Sequence, residues 1–209
     1  MASAGCTILA PQKDDSKFFV LTPVSDGAVS GISPAALGRD FSVGVGPIKF
    51  PGYLQRREVV TRVSSTQVDL SSEKRWAEPL DSDFQRVLCQ NLATMLGTQR
   101  IVSYPWYATA DIAYQVEVQV LRFDTSSDGQ SQLTARWSIK DVRTGKELSA
   151  MQTTTSSPVA KGDGAGSEAL SRDLGDLSRQ IATQITELNE QGSKERRAAS
   201  TGTGGALPY

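Results

Sequence analysis

The sequence lacks histidine altogether and contains only two cysteines, Cys6 and Cys89, among its 209 residues. Histidine is the commonest general base, the partner of the nucleophile in Ser–His and Cys–His enzymes, and a frequent ligand of zinc and iron. Its absence excludes those enzyme classes and most zinc and iron sites. Two cysteines do not make a disulfide framework, and we expect Cys89 to be a small buried apolar residue.

Charge of either sign is not in excess, since the formal net charge is -1. This balance predicts no nucleic-acid partner. No apolar run is long enough to span a bilayer. Carboxylates are scattered without metal-site spacing, and the glycines around Val45 are not followed by the Lys-Ser/Thr pair of a phosphate loop. We therefore expect no enzyme, cofactor or metal site, although folding could still assemble a pair of carboxylates.

The strongest pattern that is present is a helix signal in RWAEPLDSDFQRVLCQNLATMLG, residues 75–97. Pro79 disfavours a helical conformation at the residue before it, so the helix should begin after it, with a capping box of Ser82 and Gln85. Gly97 can take the left-handed conformation that ends helices. One apolar stripe at three- and four-residue spacing supports the assignment: Phe84, Val87, Leu88, Leu92, Met95 and Leu96.

A second stripe of leucines and isoleucines between Leu170 and Leu188 predicts another long helix, capped by Ser167. Alternating apolar residues predict an antiparallel meander of three strands over 111–155, with shorter strands at 17–24, 59–62 and 67–70 and from residue 40 onwards. The expected fold class is α+β. It is a two-layer sandwich of a mostly antiparallel sheet with two long amphipathic helices packed on one face.

Composition divides the chain into three parts. Residues 1–16 read as an N-terminal tether, residues 17–189 as a single α/β domain, and residues 190–209 as a disordered C-terminal tail. Small residues directly before Cys6 have the form of a bacterial lipoprotein cleavage site, at which the cysteine would be lipidated. A chance cysteine in a flexible tether is the alternative.

Aromatic residues near prolines suggest a binding surface. Tyr53, Trp76, Trp106 and Tyr107 all lie outside the predicted helices, and tryptophan and tyrosine are enriched where a protein meets a partner or a membrane. Local core packing is the alternative for each of them. A basic cluster of Arg56, Arg57 and Arg62 is either a solvated face or a contact for lipid head groups or an acidic partner.

Four segments together resemble the PqiC-type ABC-transport auxiliary lipoproteins: FFVLTPV, VGVGPIKFPGYLQRREVVTR, RWAEPLDSDFQRVLCQNLATMLG and VEVQVLRFD. The resemblance runs from Phe18 to Leu188. It implies a small periplasmic domain that a lipidated cysteine tethers to the outer membrane. It also implies work with an ABC transporter permease of the inner membrane and a periplasm-bridging MCE-domain protein, in lipid traffic and envelope integrity.

Carried over by position, the resemblance makes Cys6 the lipid-attachment residue. Thr7 follows it where an Asp would mark retention at the inner membrane, so the outer membrane is favoured. Ser3 departs from the usual Leu, and the residues before Cys6 are not an apolar signal segment.

The function we expect is a non-enzymatic accessory lipoprotein of an MCE-associated intermembrane lipid transport system, which docks the periplasmic component at the outer membrane. A homo-oligomer is plausible for a family that docks onto oligomeric MCE proteins. Two alternatives stay open: a lipid carrier with an internal pocket, and an activator of a peptidoglycan synthase. The partner-binding surface is expected at Tyr53, Leu54, Arg56, Arg57, Trp76, Glu78 and Pro79.

Overall fold

The computed structural model describes residues 14–25, 42–107 and 111–201. Cys6 and nearly all of the predicted tether lie outside the described residues, as do the last eight residues, 202–209. Residues 27–38 are rich in glycine, serine and alanine, which predicts a loop, and they also lie outside the described residues. The lipid-attachment prediction therefore stays a prediction.

In the described part of the chain, eight strands form one mixed sheet. They are β1 (Lys17–Phe19), β2 (Val43–Lys49), β3 (Glu58–Arg62), β4 (Val68–Trp76), β5 (Ile101–Ser103), β6 (Tyr114–Ser126), β7 (Gln130–Asp141) and β8 (Glu147–Pro158). The spatial order is β1-β4-β3-β6-β2-β5, while β7 pairs with β6 and β8 with β7. The last three strands are the predicted antiparallel meander. Parallel pairs join β1 to β4 and join β6 to β2 and β3.

Two helices, α1 (Leu80–Leu96) and α2 (Ala165–Thr201), pack on one face of this sheet and against each other. The predicted α+β two-layer architecture is confirmed. All six residues of the predicted α1 stripe are at most 1% exposed, because they lie between the helix and the sheet. Gly97 ends α1 in the left-handed conformation, with φ of 62° and ψ of 32°.

The two predicted helix caps are wrong. Helix α1 begins at Leu80, directly after an extended Pro79, so Ser82 lies within the first turn and its N–H donates to Asp81 Oδ1. The Gln85 side chain reaches away from the helix instead of back to its start. Helix α2 begins at Ala165, and the Ser167 hydroxyl donates to the Gly164 carbonyl.

Helix α2 also continues well beyond its apolar stripe. The prediction of a disordered tail from residue 190 is wrong for residues 190–201, which are helical. Glu, Lys, Arg and Ala are strong helix formers, and many of these positions carry them. Extending a helix whose first part is already packed costs little free energy. Each residue that is added gains one backbone hydrogen bond, and the unfavourable nucleation step has already taken place.

The strand predicted at 17–24 pairs with the sheet only over Lys17–Phe19. From residue 20 the segment lies on the two helices, and their polar side chains replace the missing strand partner. The N–H groups of Leu21, Thr22 and Val24 donate to Asp83 Oδ2 (2.7 Å), Ser171 Oγ (3.0 Å) and Asn91 Oδ1 (2.9 Å). Leu21 is only 1% exposed, so this segment belongs to the core.

Candidate functional site

A groove lies between a 3₁₀ turn at Gly52–Leu54 and the first residues of α1. Its volume is about 370 Å³. The floor is apolar, because Leu54 and Leu80 present parts of nearly buried side chains there. The rim carries exposed charged side chains. The residues that line this arginine groove are Phe50, Leu54, Gln55, Arg56, Arg57, Pro79, Leu80 and Asp81.

The local sequence explains how the two arginines reach the rim. Pro51 enters the turn in an extended conformation, and its carbonyl accepts the Leu54 N–H at 3.0 Å. The turn directs Leu54 into the core and leaves Arg56 and Arg57 exposed on the following residues. The Trp76 N–H donates to the Arg57 carbonyl at 2.7 Å, so the loop is also fixed at its far end.

A buried carboxylate holds the turn against the sheet from behind. The Asp124 side chain is 0% exposed and pairs with Arg62 Nη2 at 2.8 Å and Arg122 Nε at 2.7 Å. The Tyr53 hydroxyl donates to Asp124 Oδ2 at 3.1 Å. Burial, followed by the nearby Asp124 charge, raises the pKa of Tyr53, so its hydroxyl keeps the proton that it donates. The hydrogen bond to Asp124 likewise raises the pKa of Arg62.

The two arginines on the rim of the groove differ in their ion pairing from a neighbouring arginine of α1. Arg86, on the next turns of α1, is held by Glu78 (3.2 Å) and by Asp83. Arg56 and Arg57 have no ion pair with any residue in the described part of the chain. Of the residues that the structure describes, Asp81 is the one carboxylate that lines the groove. The rim thus offers two available guanidinium groups above an apolar floor.

The structure brings together four of the seven residues predicted for the partner surface: Leu54, Arg56, Arg57 and Pro79. Tyr53 is half-buried behind them, and Glu78 is half-buried against Arg86. The prediction that Trp76 is exposed is wrong, because β4 extends to this residue and carries its side chain into the core, where it is 4% exposed. It offers a partner almost no surface.

Sequence reasoning did not find four residues of the groove: Phe50, Gln55, Leu80 and Asp81. Phe50 and Leu80 each lie beside a proline, and Leu80 stands where the first helix was predicted to begin. The groove forms where the segments that contain these two residues come together, and they are more than twenty residues apart in the chain. No local sequence pattern indicates that contact.

The aromatic loop after β5 is a second exposed feature. Tyr107 is 87% exposed, whereas Trp106 is half-buried and packs edge-on against Tyr104, with ring centroids 5.4 Å apart. A Cβ atom on Gly44 would lie 3.0 Å from the Trp106 ring, so a larger residue at this position would press on the ring. Gln85 Nε2 donates to the Tyr104 carbonyl at 2.8 Å and fixes the loop to α1.

The face of the sheet opposite the helices carries a second groove, of about 490 Å³, lined by both polar and apolar side chains. Two of its three charged lining side chains, Glu117 and Arg136, have partners within the chain, whereas Lys49 has no ion pair in the described part of the chain. Lys140 Nζ lies 2.8 Å from Glu117 Oε1, and Arg136 Nε donates to Gln152 Oε1 at 3.1 Å. This groove thus offers one unpaired cation, Lys49, whereas the arginine groove offers two guanidinium groups.

A family model described as the ABC-type transport auxiliary lipoprotein component matches residues 19–182, which include the whole arginine groove. The chain belongs to this family. The family consists of lipoproteins that accompany ABC-type transport systems, and it associates the chain with the cell envelope. Within residues 14–25, 42–107 and 111–201, no helix combines the length and apolar character needed to cross a membrane.

Solved structures agree on the fold. A Xanthomonas campestris protein of the DUF330 family shares 11% identity, with a TM-score of 0.69 over 85% of this chain and 99% of that one. An uncharacterized protein of known crystal structure shares 21% identity, with a TM-score of 0.64 over 81% of this chain and 99% of its own. No curated protein matches the chain.

Proposed function

We propose that this chain is a non-enzymatic accessory lipoprotein that docks the MCE-domain component of an intermembrane lipid transport system at the outer membrane. The observation that carries the proposal is the arginine groove, with its apolar floor and two guanidinium groups that no carboxylate in the described part of the chain neutralises. Family membership supplies the transport context.

The chemistry of the groove favours binding over catalysis. Arginine stays protonated in proteins and therefore offers no general base. It does offer a planar fork of donors that matches a carboxylate with two parallel hydrogen bonds. The polar side chains around the groove are Gln55, Arg56, Arg57 and Asp81, and none of them is a nucleophile with an adjacent base.

The same features specify the partner segment. A stretch with acidic residues flanking one apolar side chain fits, because the apolar side chain covers Leu54 and Leu80 while the carboxylates meet Arg56 and Arg57. Arginine and desolvated apolar anchors are the residue types that dominate binding energy at protein interfaces. We place such a segment on the MCE-domain protein.

The predicted anchor agrees with this role. Asp14, the first residue that the structure describes, lies eight positions after Cys6. A fully extended chain of that length spans at most about 29 Å. One acyl chain gives only marginal membrane binding, and a multiply acylated cysteine exceeds that limit. Lipidation at Cys6 would thus keep the domain within reach of a partner that arrives at the membrane.

The test is the affinity for the cognate MCE-domain protein. We expect Arg56→Ala with Arg57→Ala to raise the Kd at least about tenfold, which corresponds to about 1.4 kcal/mol. Arg143→Ala removes an exposed arginine from a turn outside the groove and should leave the Kd unchanged. Circular dichroism checks that the variants are folded. Wild-type affinity in the double variant would refute docking at this groove.

Lipid content separates this function from the carrier alternative. A docking protein should purify without stoichiometric lipid, whereas a carrier would retain lipid that native mass spectrometry detects. Stimulation of a purified peptidoglycan synthase would instead favour the activator alternative.

A further inference from the structure

A row of four polar residues crosses the sheet groove, the groove on the sheet face opposite the helices. One residue comes from each of β2, β6, β7 and β8. In register across the sheet they are Lys49, Gln119, Arg136 and Gln152. All four line the groove and are exposed. Neighbouring strands lie about 4.8 Å apart, so this polar row is roughly 14 Å long.

Two small residues form a trough beside the polar row. Ser138 and Ala150 stand opposite each other on β7 and β8, and each lies two residues along its strand from a member of the row. Lys140 stands on their other side, with its Nζ 2.8 Å from Glu117 Oε1. Short side chains between longer ones leave space above the backbone. The trough therefore runs across the strands, parallel to the polar row.

Both ends of the polar row lie at the outside of the sheet, as far as the structure describes the chain. Beyond Lys49 no described strand follows, because β2 pairs with β5 only over Val43–Val45. Beyond Gln152 no described strand follows either, because β8 pairs with β7 alone. A chain-like ligand can therefore cross the whole row and extend past it at both ends.

The polar row offers hydrogen-bond donors and acceptors together. Each glutamine amide can donate and accept, whereas the Lys49 ammonium and the Arg136 guanidinium only donate. Arg136 Nε donates to Gln152 Oε1 at 3.1 Å, and no other hydrogen bond of this guanidinium forms within the described residues. Hydroxyl and acetamido groups of a glycan also donate and accept, and they recur along the strand of sugars. The row and a glycan strand are therefore complementary in both kinds of group.

The charge along the row favours a ligand with carboxylates. Neither Lys49 nor Arg136 has an ion pair in the described part of the chain. Glu117, the one carboxylate among the described residues that line the groove, is already paired with Lys140. A guanidinium group binds a carboxylate with two parallel hydrogen bonds, and an ammonium group binds it as a point charge. The groove thus attracts an acidic ligand more than a neutral one.

Two other classes of polymer fit the groove less well, although sheet faces do bind oligosaccharides in other folds. Nucleic acids bind sheet faces by stacking bases on exposed aromatic rings. Trp137, the one aromatic residue among the described residues of the lining, is 3% exposed, and its indole N–H donates to Thr153 on the side toward α2. Protein segments are anchored by apolar side chains in desolvated pockets, and the open floor at Ser138 and Ala150 is not such a pocket.

We infer that the sheet groove binds a carboxylate-bearing glycan strand, and that its occupant is the peptidoglycan of the cell wall. The glycan lies along the trough. Its hydroxyl and acetamido groups meet Gln119 and Gln152, and its carboxylates meet Lys49 and Arg136. Peptidoglycan has this chemistry, because its N-acetylated sugars carry lactyl groups and acidic stem peptides. The family associates the chain with the cell envelope, which contains this polymer.

Co-sedimentation of the full chain with purified insoluble peptidoglycan tests the binding. We expect the wild-type protein to sediment with a saturable Kd. The row variant, Lys49→Gln with Arg136→Gln, should raise this Kd at least about tenfold, because both cations of the row are lost. Arg143→Gln with Lys146→Gln removes the same charge from an exposed turn outside the groove and should leave the Kd unchanged. A wild-type protein that stays in the supernatant, or an unchanged Kd in the row variant, would overturn the inference.

An amide variant separates glycan recognition from attraction to any polyanion. Gln119→Ala with Gln152→Ala keeps the charge, and we expect at least about a fivefold rise in the Kd from two lost hydrogen bonds. Soluble glycan fragments of peptidoglycan should displace the wild-type protein, whereas polyglutamate at the same carboxylate concentration should not. Equal displacement by polyglutamate, or no effect of the amide variant, would overturn the assignment to a glycan and indicate an acidic protein segment.

These measurements are independent of docking at the arginine groove. Arg56→Ala with Arg57→Ala should bind peptidoglycan like the wild type, and the row variant should keep its affinity for the MCE-domain protein. All of the substituted residues are exposed, so circular dichroism should show every variant folded. If Arg56→Ala with Arg57→Ala weakened sedimentation as much as the row variant does, the assignment of the glycan to the sheet groove would be wrong.

Discussion

Asp124→Asn tests whether the buried carboxylate behind the arginine groove anchors that part of the fold. The substitution keeps the shape of the side chain and removes its charge. Arg62 and Arg122 would then share a neutral acceptor, and the amide nitrogen would face a guanidinium group. The Tyr53 hydroxyl would lose its charged acceptor, so the 3₁₀ turn would also be held less firmly.

The structure sets the expected magnitude. Removing one partner of a buried ion pair costs about 3–5 kcal/mol. Asp124 is fully buried, but the side chains of Arg62 and Arg122 are 20% and 25% exposed, so both arginines can regain some water. We therefore expect a loss near the lower end, about 3 kcal/mol. For a domain of this size that lowers the Tm by roughly 6–12 °C.

The assay is thermal unfolding followed by circular dichroism, with urea unfolding as a second measure. Glu117→Gln is the matched control, because it breaks a 2.8 Å ion pair with Lys140 in which both side chains are 33% exposed. Exposed pairs contribute at most about 1 kcal/mol, so this control should lose little. If the Asp124→Asn variant is as stable as the Glu117→Gln control, the buried ion pairs of Asp124 with Arg62 and Arg122 do not stabilise the fold more than an exposed pair does.

Three further outcomes follow from the core and the helix layer. Trp76→Ala should lower the free energy of unfolding by about 3–5 kcal/mol in urea, because the side chain is buried and leaves a cavity. Burial raises the pKa of Asp173 above its ordinary value of 3.8, so the native state keeps a proton that the unfolded chain has lost, and this contribution to stability falls as pH rises through that window. Asp173→Asn should remove that slope from urea unfolding measured between about pH 3 and pH 7. Gly175→Ala should destabilise α2 by about 1–3 kcal/mol, because its Cβ would meet Val24 at 2.7 Å, whereas Gly166→Ala, with its nearest atom at 3.4 Å, should be neutral or stabilising in the same thermal assay.

The regular elements were predictable because their signals are local. Val116, Val118 and Val120 alternate in the sequence, and all three are at most 2% exposed in β6. The six-residue stripe of α1 likewise appears on the buried face. Such periods depend only on the geometry of one helix or one strand, so a single sequence contains them.

Irregular positions were not predictable in this way. The β6–β7 register shifts between Val120 and Arg122, which turns Phe123 toward the helices and Asp124 toward the other face. The alternating pattern alone would have reversed these two residues. Asp124 is nevertheless buried, because Tyr53 and Arg62 reach it from segments about sixty to seventy residues earlier. No local pattern marks that meeting.

Local sequence by itself determined the helices, the meander and the family, because hydrophobic periods and short motifs are written in consecutive residues. Tertiary structure alone decided that Trp76 is core, that Arg56 and Arg57 share a groove with Pro79, and that β8, among the described strands, pairs with β7 alone. The physical reason is that burial and ion pairing depend on which distant segments come together. That choice is made by the packing free energy of the whole domain.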